Sequence, residues 1–227
     1  MIQRFQDAIP LAFSIAVLAF IWVEVSLNFS FHWVTDGDLG IGLALPGSFH
    51  LIAPAAFITW ALFFAAGADA AATVKVSFGT LAGSVAGLVL MLVGPAVADL
   101  PDFWGLALVI AILAFVAVVL MGAGDWWYVP AIFGAFASVV FWWMATGLDR
   151  WAEAGGGVGN SVEALADPAT AGSGAFGGVL STPAEWVFAS TLASLACGVL
   201  LGKVSAVAAG LLTPASKTDE RAREHSA

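Results

Sequence analysis

The sequence predicts an all-α membrane protein with six transmembrane helices. Of its 227 residues, 61% are hydrophobic and 10% are charged, and the mean hydropathy is +0.97. About 20 apolar residues are enough for a helix to cross a hydrocarbon core of about 30 Å. Long apolar runs without alternating polar residues favour helices over strands. The six predicted spans are residues 9–29, 49–66, 76–97, 104–122, 126–148 and 186–212.

The first span follows a short segment that carries Arg4. Its apolar run is too long for the hydrophobic region of a signal peptide, and no small-x-small cleavage site follows it. We therefore expect this span to be retained. The single cysteine, Cys197, lies inside the sixth span, which excludes a disulfide framework and a cysteine-based metal site.

The positive charges predict the orientation of the spans. The seven basic residues are Arg4, Lys75, Arg150, Lys203, Lys217, Arg221 and Arg223. With the N-terminus in the cytoplasm, only Arg150 is external, so the chain should be N-in and C-in. This orientation predicts one transmembrane domain over residues 1–212, an external acidic glycine-rich loop at 149–185 and a disordered cytoplasmic tail at 213–227. The net charge of −9 comes mostly from external segments, which either attract cations or keep the rim hydrated.

The second and fifth spans each carry a proline near their start, Pro54 and Pro130. Proline in the first turn of a helix is ordinary. The alternative is that the chain before each proline is unwound inside the protein, where free amide and carbonyl groups would line a cavity. The glycine-rich residues 40–47 would then suit a short re-entrant piece.

Small residues recur at every fourth position in the third and sixth spans, which predicts close helix packing. These residues are Gly79, Gly83 and Gly87 in one stripe, and Ser190, Ser194, Gly198 and Gly202 in the other. We expect the two stripes to face each other or a partner subunit. Such a pattern indicates tight packing and carries no chemistry.

The same spans suggest an internal repeat. The run GTLAGSVAG (79–87) aligns with STLASLACG (190–198), and APAAF (53–57) aligns with VPAIF (129–133). Residues 1–97 and 98–212 would then be two copies of a three-helix unit. Because three is odd, successive copies would enter the membrane from opposite sides as a 3+3 inverted repeat.

A few polar and aromatic residues are candidates for binding or for lining a pore. Glu24 is predicted about 7–8 Å inside the outer end of the first span, where a carboxylate must be neutral, paired or facing water. His50 is expected at similar depth and could meet it, and Asn28 is one turn beyond Glu24 on the same face. Trp60 and Phe64 could form an aromatic constriction, although deep aromatic residues more often serve packing.

No enzyme or cofactor motif is present. We find no phosphate loop, nucleophile elbow, zinc motif or haem-ligating histidine pair. His32, Asp36 and Asp38 lie close in sequence, but their spacing matches no familiar metal-ligand pattern. We therefore expect no cofactor, no metal and no nucleic-acid partner.

Several segments resemble a family of small bacterial inner-membrane proteins that is described only as a domain of unknown function. They are FITWALFFAAG (57–67), Lys75, VPAIFG (129–134) and GVLLG (198–202), within about residues 49–202. The chain departs from that family in the long acidic loop before the sixth span and in the segment after the first. The resemblance implies a multi-pass protein of the bacterial plasma membrane and brings no catalytic residues.

Three functions remain open from the sequence. The first is a channel or facilitator for a small solute, expected as a homo-oligomer in the lipid bilayer. The second is a structural or accessory subunit of a larger membrane complex. A membrane enzyme comes third, because one carboxylate and two histidines near the spans are a thin catalytic inventory.

Overall fold

The structure is a computed structural model that describes residues 2–30, 49–97, 100, 104–146 and 183–213. In these ranges the chain forms six α-helices and no strand, which confirms the all-helical prediction. The helices are α1 Ile2–Asn28, α2 Ala53–Ala65, α3 Ala70–Val97, α4 Trp104–Val119, α5 Val129–Thr146 and α6 Ala184–Leu212. A 3-10 turn at Leu120–Ala123 extends α4.

Four of the helices are long and apolar enough to cross a membrane, as expected for a membrane protein. They are Phe5–Asn28, Ala70–Val97, Trp104–Ala123 and Ala184–Leu212. The remaining apolar helices, Ala53–Ala65 and Val129–Met144, are shorter. The count of six spans therefore stays a prediction.

Other predictions fall outside the described residues. They concern the acidic loop up to residue 182, the tail beyond Thr213, the glycine-rich residues 40–47, and the cluster His32, Asp36 and Asp38.

Helices α3 and α6 form the centre of the molecule. Helix α3 packs most extensively against α5, and α6 packs most extensively against α2. The two central helices also pack against each other, while α1 lies mainly against α6 and α4 mainly against α3. The larger apolar core joins Leu90 and Met91 of α3, Val139 of α5, and Val187 and Leu195 of α6.

The stripes of small residues do not face each other, so that expectation was wrong. Gly83 abuts the backbone carbonyl of Ile132 in α5, and a Cβ at Gly87 would lie 2.7 Å from Val139. Gly198 abuts the carbonyl of Ala56 in α2, and a Cβ at Gly202 would lie 2.7 Å from the Phe63 ring. A period-four stripe permits close approach of any backbone, and here each central helix uses its stripe on a different neighbour.

Candidate functional site

Helix α2 begins late, and the residues before it are extended. Residues 49–52 have no helical structure, and Ile52 adopts φ −94° and ψ 96°. Pro54 follows in the first turn of the helix, where its missing N–H costs nothing. The backbone amide groups of the extended segment, residues 49–52, therefore lack the intrahelical partners that a longer helix would give them.

Serine hydroxyls accept hydrogen bonds from successive amides of the extended segment. The amide of His50 donates to Ser190 Oγ at 3.0 Å, and that of Ile52 donates to Ser194 Oγ at 2.8 Å. Between them, the amide of Leu51 donates to Ser30 Oγ at 3.0 Å. We call Ser30, Ser190 and Ser194 the serine cluster. It gives the extended backbone the partners that buried amides require.

Two members of the serine cluster also donate hydrogen bonds to backbone carbonyls. Ser30 lies in a π-helical turn that follows α1, and its hydroxyl donates to the Leu51 carbonyl at 3.2 Å. Ser194 donates to the Ser190 carbonyl one turn earlier in α6, at 2.7 Å. Trp22 of α1 donates its indole N–H to the Ala53 carbonyl at 3.0 Å. The start of α2 is thus fastened to both α1 and α6.

Hydrogen bonds continue along the α2–α6 crossing. Thr59 Oγ1 donates to the Leu195 carbonyl at 2.5 Å, next to the close approach at Gly198. Trp60 donates its indole N–H to Ser205 Oγ at 3.0 Å. Polar side chains of both helices therefore bond across a crossing that lies deep in the protein.

A protein-family model matches residues 12–210. The chain belongs to the family DUF1097, described as a protein of unknown function. No curated protein and no solved structure matches the chain. The serine cluster and the whole α2–α6 crossing lie within the residues that match DUF1097.

Glu24, Asn28 and His50 do not form one site in this DUF1097 chain. Glu24 is exposed on α1 and accepts a hydrogen bond from Asn28 Nδ2 at 3.0 Å. The half-buried ring of His50 instead meets Trp142 of α5 edge to face, with centroids 6.2 Å apart. Among the described residues, no hydrogen bond or ion pair joins Glu24 to His50.

Trp60 and Phe64 occupy packed positions. Trp60 is 3% exposed, its N–H is bonded to Ser205, and its ring stacks on Phe57 at 5.7 Å. Phe64 is half-buried and meets Phe63 edge to face at 5.6 Å. A buried tryptophan with a satisfied N–H is typical of a packing residue.

Sequence reasoning assigned Ser190 and Ser194 to packing alone and omitted Ser30. The sequence signal that could have found them is a helix start marked by proline in one span, together with paired hydroxyls in another span. Such a start leaves backbone N–H groups that need acceptors, and lipid offers none. A pair of serines four residues apart in an apolar helix supplies two acceptors on one face.

A second set of hydroxyls lies at the centre of the DUF1097 domain. Thr80, Ser84 and Thr191 are buried, and among the described residues none of their hydroxyls has a hydrogen-bond partner. Thr191 follows Ser190 directly in α6, so the two sets share one stretch of that helix. No group of three or more His, Cys, Asp or Glu suited to a metal ion occurs in the described part of the chain.

Proposed function

We propose that this chain is a channel or facilitator for a small uncharged solute, built from six spans in a 3+3 inverted repeat. The observation that carries the proposal is the interrupted span at α2. There an extended backbone segment enters between α1 and α6, with its amides bonded to serine hydroxyls. In membrane proteins, non-helical backbone at depth occurs where protein buries it or where it lines a water-filled cavity.

The combined length of α2 and the extended segment supports a full crossing of the membrane by a span that is helical only in part. Its 13 helical residues cover about 20 Å, which is less than a hydrocarbon core of about 30 Å. The extended residues 49–52 add about 13 Å, and the two together reach the required thickness. On this reading the serine cluster lies within the membrane.

The packing pattern supports two equivalent halves. Exchanging α1, α2 and α3 for α4, α5 and α6 turns the α3–α5 pair into α6–α2, and the α4–α3 pair into α1–α6. The close approaches follow the same exchange, because Gly83 meets the Ile132 carbonyl and Gly198 meets the Ala56 carbonyl. Ile132 and Ala56 each lie two residues after the proline of their helix.

These contacts change the register of the repeat by one turn. They pair Gly83 with Gly198, whereas the sequence alignment pairs Gly83 with Ser194. A period-four pattern matches itself again after a shift of four residues. Only a contact partner can choose between the two registers.

The side chains of the crossing favour an uncharged solute. Helices α2 and α5 contain no charged residue, and α3 contains only Lys75 in its second turn. The charged residues of α6 are Glu185 in its first turn and the exposed Lys203. Hydroxyl and amide groups can exchange hydrogen bonds with a neutral molecule, whereas an ion pays a larger cost of transfer into the membrane when no charged side chain faces it.

A liposome flux assay tests the function. Purified protein should accelerate the flux of at least one solute from a panel of water, ammonia, small amides and glycerol, relative to protein-free liposomes. A weak acid and an alkali cation should stay at the protein-free rate. No facilitated flux of any solute by folded protein would contradict the proposal.

A structural or accessory subunit is the second candidate, supported by the exposure of α4. Only Gly105 and Ala117 of that helix are buried, and large side chains such as Ile112 (53% exposed) and Phe115 (70% exposed) face outward. Lipid or a partner helix would cover such a surface equally well. Purification in mild detergent discriminates, because a defined hetero-complex favours the subunit and a homo-oligomer favours the facilitator. We propose the bacterial plasma membrane, N-in and C-in, for either function.

A further inference from the structure

Most buried hydroxyls among the described residues have a hydrogen-bond partner. Helical serines and threonines usually bond to a carbonyl three or four residues earlier. The donors that do so are Ser14, Ser26, Thr59, Ser138, Ser194 and Ser205. Thr80, Ser84 and Thr191 are 2%, 0% and 0% exposed and bond to no group among the described residues. These three we call the unpaired hydroxyls.

The unpaired hydroxyls lie on helices that pack together. Val76 of α3 shares a buried cluster with Val199 of α6, while Leu88 of α3 packs against the cluster that contains Val187 of α6. In the proposed six-span topology α6 follows α3 by three crossings, so the two helices run antiparallel. Counting one turn at a time from Val76 and Val199 would then place Ser84 opposite Thr191 and Thr80 opposite Leu195.

Unpaired hydroxyls at such a place are unfavourable without an occupant. A buried hydroxyl that loses water without gaining a partner is destabilising, and lipid offers no substitute. Ser84 lies about 20 Å from either end of α3, far from headgroup water. Each such group in a native protein calls for an explanation, and these three lie on two helices that pack together.

We infer that Thr80, Ser84 and Thr191 form a binding site for a small uncharged molecule that both donates and accepts hydrogen bonds, with water as its smallest member. A hydroxyl can act in either direction, so the site suits a ligand with the same property. Residues 76–97 of α3 and 186–202 of α6 carry no charged side chain, which favours an uncharged occupant over an ion. This inference deepens the proposed facilitator function by naming the chemistry of its solute.

Replacing hydroxyls by methyl groups of similar size tests the site. The variant Thr80→Val/Thr191→Val removes two hydrogen-bonding groups and keeps their volume. If the site is occupied, the midpoint of thermal unfolding should fall by about 2–4 °C for each lost bond. If the hydroxyls are unoccupied, the midpoint should rise or stay unchanged, and that result would overturn the inference. Ser138→Ala is the matched control, because the buried Ser138 hydroxyl donates to the Gly134 carbonyl within α5.

X-ray radiolytic labelling detects the occupant directly, with water as the probe. Leu195 is 0% exposed, so a hydroxyl radical reaches it only from a water molecule bound beside it. Labelling of Leu195 in the wild type, and at least a fivefold loss in the Thr80→Val/Thr191→Val variant, would support the site. A wild type without labelling at Leu195 would overturn it.

The facilitator function and the binding site at the unpaired hydroxyls can be refuted independently. If liposomes show no flux of any solute while Leu195 is labelled, the facilitator is wrong and the hydrated site stands. If flux is present while Leu195 is unlabelled and the valine variant is more stable, the facilitator stands and its solute binds elsewhere.

Discussion

The crossings of α3 with α5 and of α6 with α2 share one geometry but differ in chemistry. In each, a glycine of a central helix meets a backbone carbonyl two residues after a proline. The α3–α5 crossing is built from backbone and apolar side chains such as Ala131 and Val139. The α6–α2 crossing adds hydrogen bonds from Thr59 and Trp60, and the serine cluster adjoins it. Close packing alone therefore suffices where the partner helix is complete.

The difference follows from the length of the partner helix. Helix α5 has 18 residues, whereas α2 has 13 and follows an extended segment. A shorter helix leaves more amides without partners, and the serines of α6 and Ser30 satisfy them. The serine cluster thus lies where the regular structure of α2 is interrupted.

The largest expected effect comes from filling the close approaches. Gly198→Leu and Gly83→Leu each place a side chain where a backbone carbonyl already lies, so both should prevent stable folding. Leu92→Phe is the control, because Leu92 is 66% exposed on α3. Monodispersity and the thermal midpoint in detergent measure the effect. Equal tolerance of the glycine variants and the control would mean that these crossings do not form.

A smaller effect should follow from removing one serine acceptor at a time. Ser194→Ala leaves the Ile52 amide buried without a partner, which should lower the free energy of unfolding by about 1–3 kcal/mol. Ser138→Ala should lower the free energy of unfolding by less than half of that amount. The Gly134 carbonyl, which accepts from the Ser138 hydroxyl, keeps its backbone partner in the helix. Thermal midpoints compare the two. A Ser194→Ala variant as stable as Ser138→Ala would remove the polar character assigned to the α2 crossing.

Trp60→Phe should have a modest effect on stability and none on flux. The substitution removes the bond to Ser205 and keeps an aromatic ring, at a cost of about 0.5–1.5 kcal/mol. Thermal unfolding and liposome flux of the same preparation provide the two measurements. A stable variant with altered solute selectivity would return Trp60 to the lining of the pathway.

Glu24→Gln should have the smallest effect. The glutamine keeps an oxygen for Asn28, and the side chain is exposed on α1. We expect a stability change within about 0.5 kcal/mol. At every pH between 5 and 8, the variant and the wild type should carry neutral solutes at the same rate. A variant that loses pH-dependent flux would restore Glu24 as a functional residue.

The sequence was sufficient to predict the helices and the close-packing residues. Hydropathy locates apolar stretches, and small residues at every fourth position mark where a backbone can come near. It could not predict which neighbour Gly83 or Gly198 would meet, since a stripe specifies closeness and not a partner.

Hydropathy could not locate the extended segment, although Pro54 left an unwound chain before the second span open as an alternative. Phe49, Leu51 and Ile52 are apolar and read as part of a helical span. Their departure from the helix depends on acceptors supplied by Ser190 and Ser194, about 140 residues later in the chain. The same limit explains why Glu24 and His50, which the sequence suggested could meet, have different partners. Similar depth in two spans does not fix the directions of their side chains.

Cysteine labelling from outside the cell tests the six-span inverted repeat most directly. In a Cys197→Ala background, single cysteines replace three exposed residues: Ala70 at the start of α3, Leu100 between α3 and α4, and Asp125 between α4 and α5. Six spans predict that an impermeant reagent labels position 100 and spares positions 70 and 125. If α2 and α5 do not cross the membrane, positions 70 and 125 become external and position 100 becomes internal. Labelling at 70 and 125 with protection at 100 would therefore contradict the account.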